Sequence, residues 1–191
     1  MRVRPSLERR LANALLDIAV EVLVADPSAS LAQVAEAAGI GRTTLHKHYA
    51  TRGDLMRGVG HRALDLWEQV MAAADGSEAA DGGLHALVEA MVPIGPHLAF
   101  LWRNPIFDHD EDIGRRWREI EPRALNVLER AQANGVVRTD VADFWLLQTL
   151  YSLVYVAAES VHSGHLAPRD APGLVVDTFV RGLGAPQSQA R

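Results

Sequence analysis

The chain has 191 residues, of which 48% are hydrophobic and 23% charged, so a packed globular interior is expected and disordered, collagen-like and coiled-coil architectures are excluded. It contains no cysteine, which excludes disulfides, thiolate catalysis and cysteine-ligated zinc and fits a reducing compartment. The net charge is −5, yet residues 1–62 carry nine Lys or Arg against six Asp or Glu, whereas residues 63–191 carry ten against eighteen. This asymmetry predicts two tasks in one chain, one of them suited to a polyanion.

The N-terminal segment does not have the pattern of a signal peptide. Its basic and apolar residues are interrupted by Asp17 and Glu21, and no small-residue cleavage pattern follows. No apolar run is expected to approach the roughly 18 residues that cross a bilayer. A soluble, cytoplasmic protein is therefore predicted.

The first 50 residues predict three helices joined by short turns. Apolar residues recur at helical spacing over about 6–25, at Leu7, Leu11, Leu15, Ile18 and Val22. Ser30 and Gln33 form a capping box for a second helix, which ends at Gly39. A third short helix begins near Arg42.

The rest of the chain is also predicted to be helical. A second capping box, Thr51 with Asp54, opens a long helix that runs to about residue 74. Further helices are expected over about 84–103, interrupted near Pro93, and over about 110–134, kinked at Pro122. A largely apolar helix from Asp140 to about 162 and a last helix from Asp170 through Leu183 complete the set. No convincing alternation of period two appears, so the fold class is all-α.

The stretch AGIGRTTLHKHY at 38–49 concentrates polar side chains on the third helix. His46 and His48 are two residues apart and point about 200° from each other on a helix, which disfavours a shared metal site. Gly39 and Gly41 join two helices and lack the spacing of a phosphate-binding loop. No metal and no cofactor are therefore predicted.

The same stretch has the pattern of a helix-turn-helix. Leu45 and Tyr49 are expected to face inward, together with Ile40 from the turn, which leaves a short cationic face rich in hydroxyl groups. Such a second helix enters the DNA major groove, and threonine, lysine and arginine suit base edges chemically. The residues alone leave open an ordinary solvated face on a three-helix core.

The segment SLAQVAEAAGIGRTTLHKHYATRGDL, from Ser30 to Leu55, resembles the DNA-binding segment of the TetR family of transcriptional regulators. The matching features are the Val34-Ala35 pair, the Ala38-Gly39-Ile40 turn, Thr44-Leu45, the aromatic Tyr49 and the pair Asp54-Leu55. Beyond residue 60 the resemblance covers only length and helix pattern. It implies a three-helix DNA-binding domain at 1–55, a helical ligand-binding and dimerisation domain at 56–185 and a flexible tail at 186–191.

Three positions depart from the family pattern. Family members usually carry Tyr in place of His46, Phe in place of Tyr49 and Lys in place of Arg52. The resemblance implies that positions 46 and 52 approach DNA phosphates and that position 49 packs inside, where the Tyr49 hydroxyl needs a partner. The residues expected at the DNA are Ser30, Arg42, Thr43, Thr44, His46, Lys47, His48 and Arg52.

The resemblance also implies a homodimer on a roughly palindromic operator and a small-molecule effector that releases a repressor from it. Candidate effector contacts are Trp67, Met71, His97, Trp102, Phe107, Trp117, Trp145, Gln148, Tyr151 and Tyr155. Candidate dimer contacts are Val154, Ala158, Val161, Val175, Phe179, Val180 and Leu183. Plain intramolecular core remains an alternative for both sets.

Of two other functions, an architectural DNA-binding protein remains open and an enzyme is disfavoured. A ligand-independent architectural DNA-binding protein would need no cavity in its second domain. An enzyme is disfavoured because no G-x-S-x-G, H-E-x-x-H, Walker loop or cysteine nucleophile is present. The acidic run DHDED at 108–112 is interpreted as a charged loop before a helix N-terminus rather than a cation site.

Overall fold

The computed structural model describes residues 7–74 and 79–183, without the side chains of residues 73 and 183. The helices are α1 (Leu7–Ala25), α2 (Leu31–Ala37), α3 (Arg42–His48), α4 (Arg52–Ala74), α5 (Leu84–Met91), α6 (Gly95–Arg103), α7 (Glu111–Ala133), α8 (Asp143–His162) and α9 (Ala171–Leu183). Short 3-10 turns at Val92–Ile94 and Pro105–Phe107 precede and follow α6. The all-α class is confirmed, and the tail expected at 186–191 lies outside the described residues.

The chain divides into two compact units. Unit 1 comprises residues 1–65 and 96–114, and unit 2 comprises residues 66–95 and 115–191. The sequence-based boundary at 55/56 differs from this division in two ways. Residues 56–65 of α4 belong to unit 1, and so does the later segment 96–114. The domain functions assigned from the sequence remain predictions.

Unit 1 is built on the helices α1, α2, α3 and the first half of α4. Its core contains Val20, Val34, Leu45, Leu55 and Val59, each with 0% exposed surface. The buried face of α1 is formed by Leu16, Ala19, Val20 and Leu23. The face of α1 that was expected to be buried is therefore wrong, since Leu7 and Leu11 are exposed. Helix α1 is apolar around much of its circumference, so tertiary packing decides which face is buried.

The segment 96–114 belongs to unit 1, and its contacts with α4 and α1 include a close approach at Gly60, an ion pair of Arg57 and a hydrogen bond of His97. A Cβ placed on Gly60 would lie 2.9 Å from Phe107 Cε1 and 2.8 Å from Ile113 Cδ1, so glycine permits a close approach of the segment to α4. Arg57 Nε donates to Asp110 Oδ2 at 2.9 Å. The third contact, made by His97, is described below.

Unit 2 contains the second half of α4 together with α5, α7, α8 and α9. The α8 and α9 helices pack on each other, and α5 packs on α9. Gly95 lies against α8 so closely that a Cβ on it would be 2.2 Å from the Ala158 Cβ. The expected break near Pro93 is present as a 3-10 turn, and Pro122 lies inside α7 as predicted.

Two expectations from the sequence need correction. The run Leu84–Arg103 is long and apolar enough to span a membrane by length and composition, contrary to the expectation that no such run exists. Because 67% of its apolar window is buried inside the protein, it is typical of a core helix. Helix α8 begins at Asp143 rather than at Asp140, which instead accepts hydrogen bonds from Arg138, Nε at 2.6 Å and Nη2 at 2.5 Å.

Candidate nucleic-acid interface

The turn between α2 and α3 has a geometry that only a few residues adopt easily. Gly39 has φ of +65°, in the left-handed region that favours glycine. Its N–H donates to the Glu36 carbonyl at 3.0 Å, and the Ile40 N–H donates to the Ala35 carbonyl at 2.9 Å. These two bonds form the Schellman motif that ends α2. The turn therefore fixes the direction in which α3 leaves α2.

The capping boxes predicted from the sequence are both present. The Ser30 hydroxyl accepts a hydrogen bond from the Gln33 N–H at 3.3 Å, while the Gln33 side-chain oxygen accepts from the Ser30 N–H at 2.8 Å. Thr51 and Asp54 form the equivalent pair at the start of α4, with the Thr51 N–H donating to Asp54 Oδ2 at 3.0 Å. Ser30 is exposed, but its hydroxyl is already engaged in the cap.

The exposed face of α3 carries most of the residues predicted to touch DNA. Leu45 is fully buried and anchors the helix to the core. The exposed side chains are Arg42, Thr43, Thr44, His46, Lys47 and His48. Among the residues described, none of these six makes a side-chain hydrogen bond or ion pair within the protein. The face therefore presents donors and positive charge that are free to bind an external partner.

Helix α3 ends at an aromatic ring that packs against α4. Tyr49 is its C-cap residue, and a Cβ placed on Gly58 would lie 2.8 Å from Tyr49 Cε1 and 3.3 Å from its hydroxyl oxygen. The ring is half-buried, and burial raises the pKa of its phenol. Position 49 thus packs inward as the resemblance implies, with glycine on α4 making room for the ring.

Arg52 is placed differently from the expectation of a phosphate contact. Its Nε donates to the Ala29 carbonyl at 3.1 Å, and its Nη2 donates to the Pro27 carbonyl. Its Nη1 also lies 3.5 Å from the Met56 sulfur. The guanidinium group therefore ties the start of α4 to the loop between α1 and α2. No sequence pattern indicates these bonds, because the partners are backbone atoms.

The remaining charged groups give no metal site in the described part of the chain, where no group of three or more His, Asp or Glu side chains is gathered. The acidic run at 108–112 acts locally. Asp110 Oδ1 accepts from the Ile113 N–H at 3.1 Å at the start of α7, and this bond is the largest cause lowering the pKa of Asp110. The interpretation of this run as a loop before a helix N-terminus fits these contacts.

Three of the candidate effector residues meet in unit 2. The Tyr151 ring lies edge-on to Trp67, with centroids 6.0 Å apart, and edge-on to Trp117, at 6.2 Å. Trp67 and Met71, which lies one turn later on α4, are fully buried, and Tyr151 is 3% exposed. Tyr155 is half-buried on the same helix as Tyr151, one turn later. We refer to Trp67, Trp117 and Tyr151 as the ring cluster.

The other candidate effector residues lie elsewhere. Trp145 and Gln148 are exposed on α8, and 61% of Trp145 is accessible. His97, Trp102 and Phe107 belong to unit 1, where Phe107 packs edge-on to Phe100 at 5.7 Å.

His97 takes part in a polar cluster that sequence reasoning missed. Its Nε2 lies 2.9 Å from Asp17 Oδ1, and Arg62 binds the same carboxylate with two hydrogen bonds. Burial alone would raise the pKa of Asp17, but the bonds from His97 and Arg62 outweigh it and lower that pKa to about 2. His97 and Arg62 are 80 and 45 positions away from Asp17 in sequence, so no local pattern links the three residues.

Most of the candidate dimer residues are buried within the single chain. Val154, Ala158, Val175 and Phe179 are each at most 6% exposed, Val161 and Val180 are half-buried, and the Leu183 side chain lies outside the described residues. The large apolar side chains that α8 and α9 do expose are Phe144, Trp145, Val156 and Leu174. A helical wheel could not separate these faces because both are apolar.

The helix-turn-helix, its free cationic face and the helical second unit define a DNA-binding transcription regulator. The chain is 29% identical over 165 residues to the transcriptional repressor LfrR of Mycolicibacterium smegmatis, covering 84% of this chain and 86% of LfrR. It is 27% identical to the regulator NfxB of Pseudomonas aeruginosa, covering 88% of this chain and 92% of NfxB. No family model matches the sequence.

Solved structures agree with these relatives. The crystal structure of the TetR-like regulator LfrR in complex with proflavine superposes with a TM-score of 0.76 at 25% identity, covering 95% of this chain and all of that chain. A TetR-family regulator from Streptomyces coelicolor shares the fold, with a TM-score of 0.63 at 23% identity over 88% of this chain and 90% of its own. In sequence and in fold the chain is thus similar to transcriptional regulators of the TetR type.

Proposed function

We propose that the protein is a cytoplasmic, homodimeric repressor that binds a roughly palindromic operator and leaves it when a small molecule occupies unit 2. The observation that carries the DNA half of this proposal is the exposed face of α3, where six polar side chains have no partner among the described residues. Lys47 and Arg42 supply charge for phosphates, and Thr43 and Thr44 supply hydroxyl and methyl groups for base edges.

The effector half rests on the ring cluster in unit 2. Aromatic side chains around few polar groups are typical of sites that hold small apolar ligands. LfrR, which is similar to this chain over most of its length, has been crystallised with proflavine. Helix α4 carries Arg52 at its first residue and Trp67 four turns later, so one continuous helix joins the DNA-binding unit to the ring cluster. A ligand shifts the DNA-binding equilibrium only by its differential affinity for the two states.

The proposal of a dimer is supported by the exposed apolar surface of α8 and α9. Trp145 and Val156 on α8 and Leu174 on α9 are 61%, 58% and 52% exposed. An apolar face of this kind on two packed helices is typical of an interface between copies. Two α3 helices related by a twofold axis would enter successive major grooves. Because both helices would read the same half-site sequence, the operator is expected to be palindromic.

Fluorescence anisotropy with labelled duplex from the protein's own promoter region tests the proposal. We expect binding to this duplex to exceed binding to an unrelated duplex of equal length by at least about a thousandfold, as is usual for specific regulators. Proflavine should lower this binding. Because proflavine also intercalates into DNA, release is accepted only if it follows the concentration dependence of proflavine binding to the protein alone. Equal affinity for both duplexes would favour an architectural DNA-binding protein.

A further inference from the structure

The exposed face of α3 combines two kinds of basic side chain. Arg42 and Lys47 are charged throughout the neutral range, whereas imidazole side chains such as His46 and His48 change charge between about pH 8 and pH 5. The helix itself contains no acidic residue, and none occurs in the sequence between Glu36 and Asp54. The positive charge of α3 therefore depends on pH.

His46 differs from two histidines of unit 1 that have carboxylate partners. His97 Nε2 lies 2.9 Å from Asp17 Oδ1, and His61 Nε2 lies 3.7 Å from Asp112 Oδ2. The side chain of His46 is exposed and, within the described ranges, forms no hydrogen bond or ion pair. Its donors are therefore available to a partner from outside the chain.

The charged groups on the elements packed against α3 leave His46 without a counter-charge. Helix α2 packs on α3, and its only ionisable side chain, Glu36, is exposed and forms no ion pair with His46. The charged residues in the first two turns of α4 are Arg52, Asp54 and Arg57. Each of these is engaged elsewhere, in bonds to backbone carbonyls, in the cap of α4 and in the ion pair with Asp110 respectively.

His46 is better placed than His48 to contact a partner of the helix. At about 100° per residue, Leu45 marks the buried direction, and Lys47 lies close to the opposite, outward direction. His46 is about 80° from the outward direction, whereas His48 is about 120° from it. Arg42 lies one turn before His46 on the same flank, so a phosphate attracted by its permanent charge would lie beside the imidazole.

We infer that operator binding is coupled to proton uptake and that His46 is the group that takes up the proton. This rests on the proposed function, in which α3 binds DNA. A protonated imidazole donates a charge-assisted hydrogen bond to a phosphate, whereas a neutral imidazole donates a weaker one. Because the phosphate stabilises the protonated form, the complex holds more protons than the free protein. Affinity for the operator therefore rises as the pH falls from 8 to 6.

Fluorescence anisotropy with the full chain and the promoter duplex, at constant salt and at pH 8, 7 and 6, tests the coupling. We expect the affinity of the unsubstituted protein to rise at least about tenfold from pH 8 to pH 6, since both copies of His46 in a dimer contribute. His46→Gln keeps a donor but never gains a charge, so it should remove most of this rise. His46→Arg is always charged, so it should bind more tightly than the unsubstituted protein at pH 8 and respond little to pH.

The matched control is His85→Gln, which changes an exposed histidine on α5 in unit 2. It should keep the full pH response of the unsubstituted protein.

The salt dependence of binding separates a charge on His46 from a role in folding. For the unsubstituted protein, the slope of log affinity against log salt should be steeper by about 2 at pH 6 than at pH 8, because two further phosphates are neutralised per dimer. In His46→Gln the slopes at the two pH values should agree. A role of His46 in folding alone would not change the slope with pH.

Two results would overturn the inference: equal affinity of the unsubstituted protein at pH 8 and pH 6, or a pH response that His46→Gln keeps and His48→Gln loses. If His46→Gln fails to fold by circular dichroism, the tighter binding expected of His46→Arg at pH 8 decides the question. Failure of the proposed function is distinguishable. Equal affinity for the promoter duplex and an unrelated duplex at both pH values would contradict the proposed regulator, whereas a preference for the promoter duplex that does not change with pH would contradict only the role of His46.

Discussion

Asp17 and Arg62 are joined by two hydrogen bonds, from Nε to Oδ1 at 2.9 Å and from Nη2 to Oδ2 at 3.0 Å. His97 contacts the same Oδ1 atom through its Nε2, also at 2.9 Å. The three side chains come from α1, α4 and α6, so one carboxylate connects three helices of unit 1. Bidentate pairs of arginine and carboxylate are both stronger and more directional than single bonds.

Replacing Asp17 tests how much this cluster stabilises unit 1. The pKa of Asp17 is about 2 in the folded protein against 3.8 for the free side chain. Because the folded pKa is depressed, the stabilisation is fully present above pH 3.8 and is lost as the pH falls towards 2. The side chain is 39% exposed, so solvent screening reduces the contribution to about 1 kcal/mol.

We therefore expect Asp17→Asn to lower the free energy of unfolding by about 1 kcal/mol at pH 7. Urea denaturation should show the difference from the parent shrinking between pH 4 and pH 2. Glu36→Gln, which changes an exposed carboxylate, is the control and should leave stability unchanged at pH 7. A difference that stays constant with pH would show that packing, and not the charge of Asp17, stabilises the cluster.

Lys47 and Arg52 are expected to affect DNA binding in different ways. Lys47→Ala removes an exposed cation, so folding stability should change by less than about 0.5 kcal/mol. If both copies in a dimer contact phosphates, the slope of log affinity against log salt should fall by about 2. Thermal melts and anisotropy at several salt concentrations measure the two effects separately.

Arg52→Ala should instead destabilise the fold by about 1–2 kcal/mol, because it removes the donors that hold the Pro27 and Ala29 carbonyls. Arg52→Lys keeps the charge but lacks the planar fork, so we expect it to recover little stability. If Arg52→Lys restored full operator affinity while remaining as unstable as Arg52→Ala, the role of Arg52 would be a phosphate contact rather than the positioning of α4.

Gly58 is expected to tolerate no side chain. Alanine usually stabilises a helix by about 0.5–1 kcal/mol relative to glycine. At Gly58 the added Cβ would meet Tyr49 Cε1 at 2.8 Å and Leu16 Cδ2 at 3.2 Å, so we expect a loss of about 1–3 kcal/mol and weaker operator binding. Gly173→Ala is the matched control, since a Cβ there meets nothing within 4 Å. A stabilised Gly58→Ala protein with full DNA affinity would show that Tyr49 does not position α3.

The local features of unit 1 are predictable from the sequence. The Ser30 and Thr51 caps and the Gly39 turn were recognised because each depends on residues within five positions of one another. The exposure of α3 followed from a single helical wheel, since Leu45 alone anchors its buried face.

Long-range features could not be predicted from the sequence. Nothing near His97 indicates that it contacts Asp17, 80 residues earlier. Arg52 carries the right charge for a phosphate contact, but its bonds go to carbonyls that every residue possesses. On α8 the two apolar faces are equivalent in sequence, so the sequence alone favours Val154 as a dimer contact. Packing within the chain buries Val154 and exposes Val156 instead.

Val156 tests the proposed dimer through a surface that the single chain does not use. Its side chain is 58% exposed, so Val156→Arg should leave the fold of each unit intact by circular dichroism. In a dimer that buries this face, two introduced arginines would be desolvated and would repel each other, which we expect to convert the protein to a monomer in sedimentation velocity. Operator affinity should fall by at least about a hundredfold, because one recognition helix then binds without its partner.

The control for this prediction is Ile106→Arg, which introduces the same charge at an apolar residue that is 46% exposed in unit 1. It should sediment as the parent does and keep its operator affinity. If Val156→Arg remains dimeric and Ile106→Arg does not, the interface lies on unit 1 and the proposed α8 and α9 surface is wrong. If both remain dimeric, the interface excludes both residues, and the exposed apolar face of α8 requires another explanation.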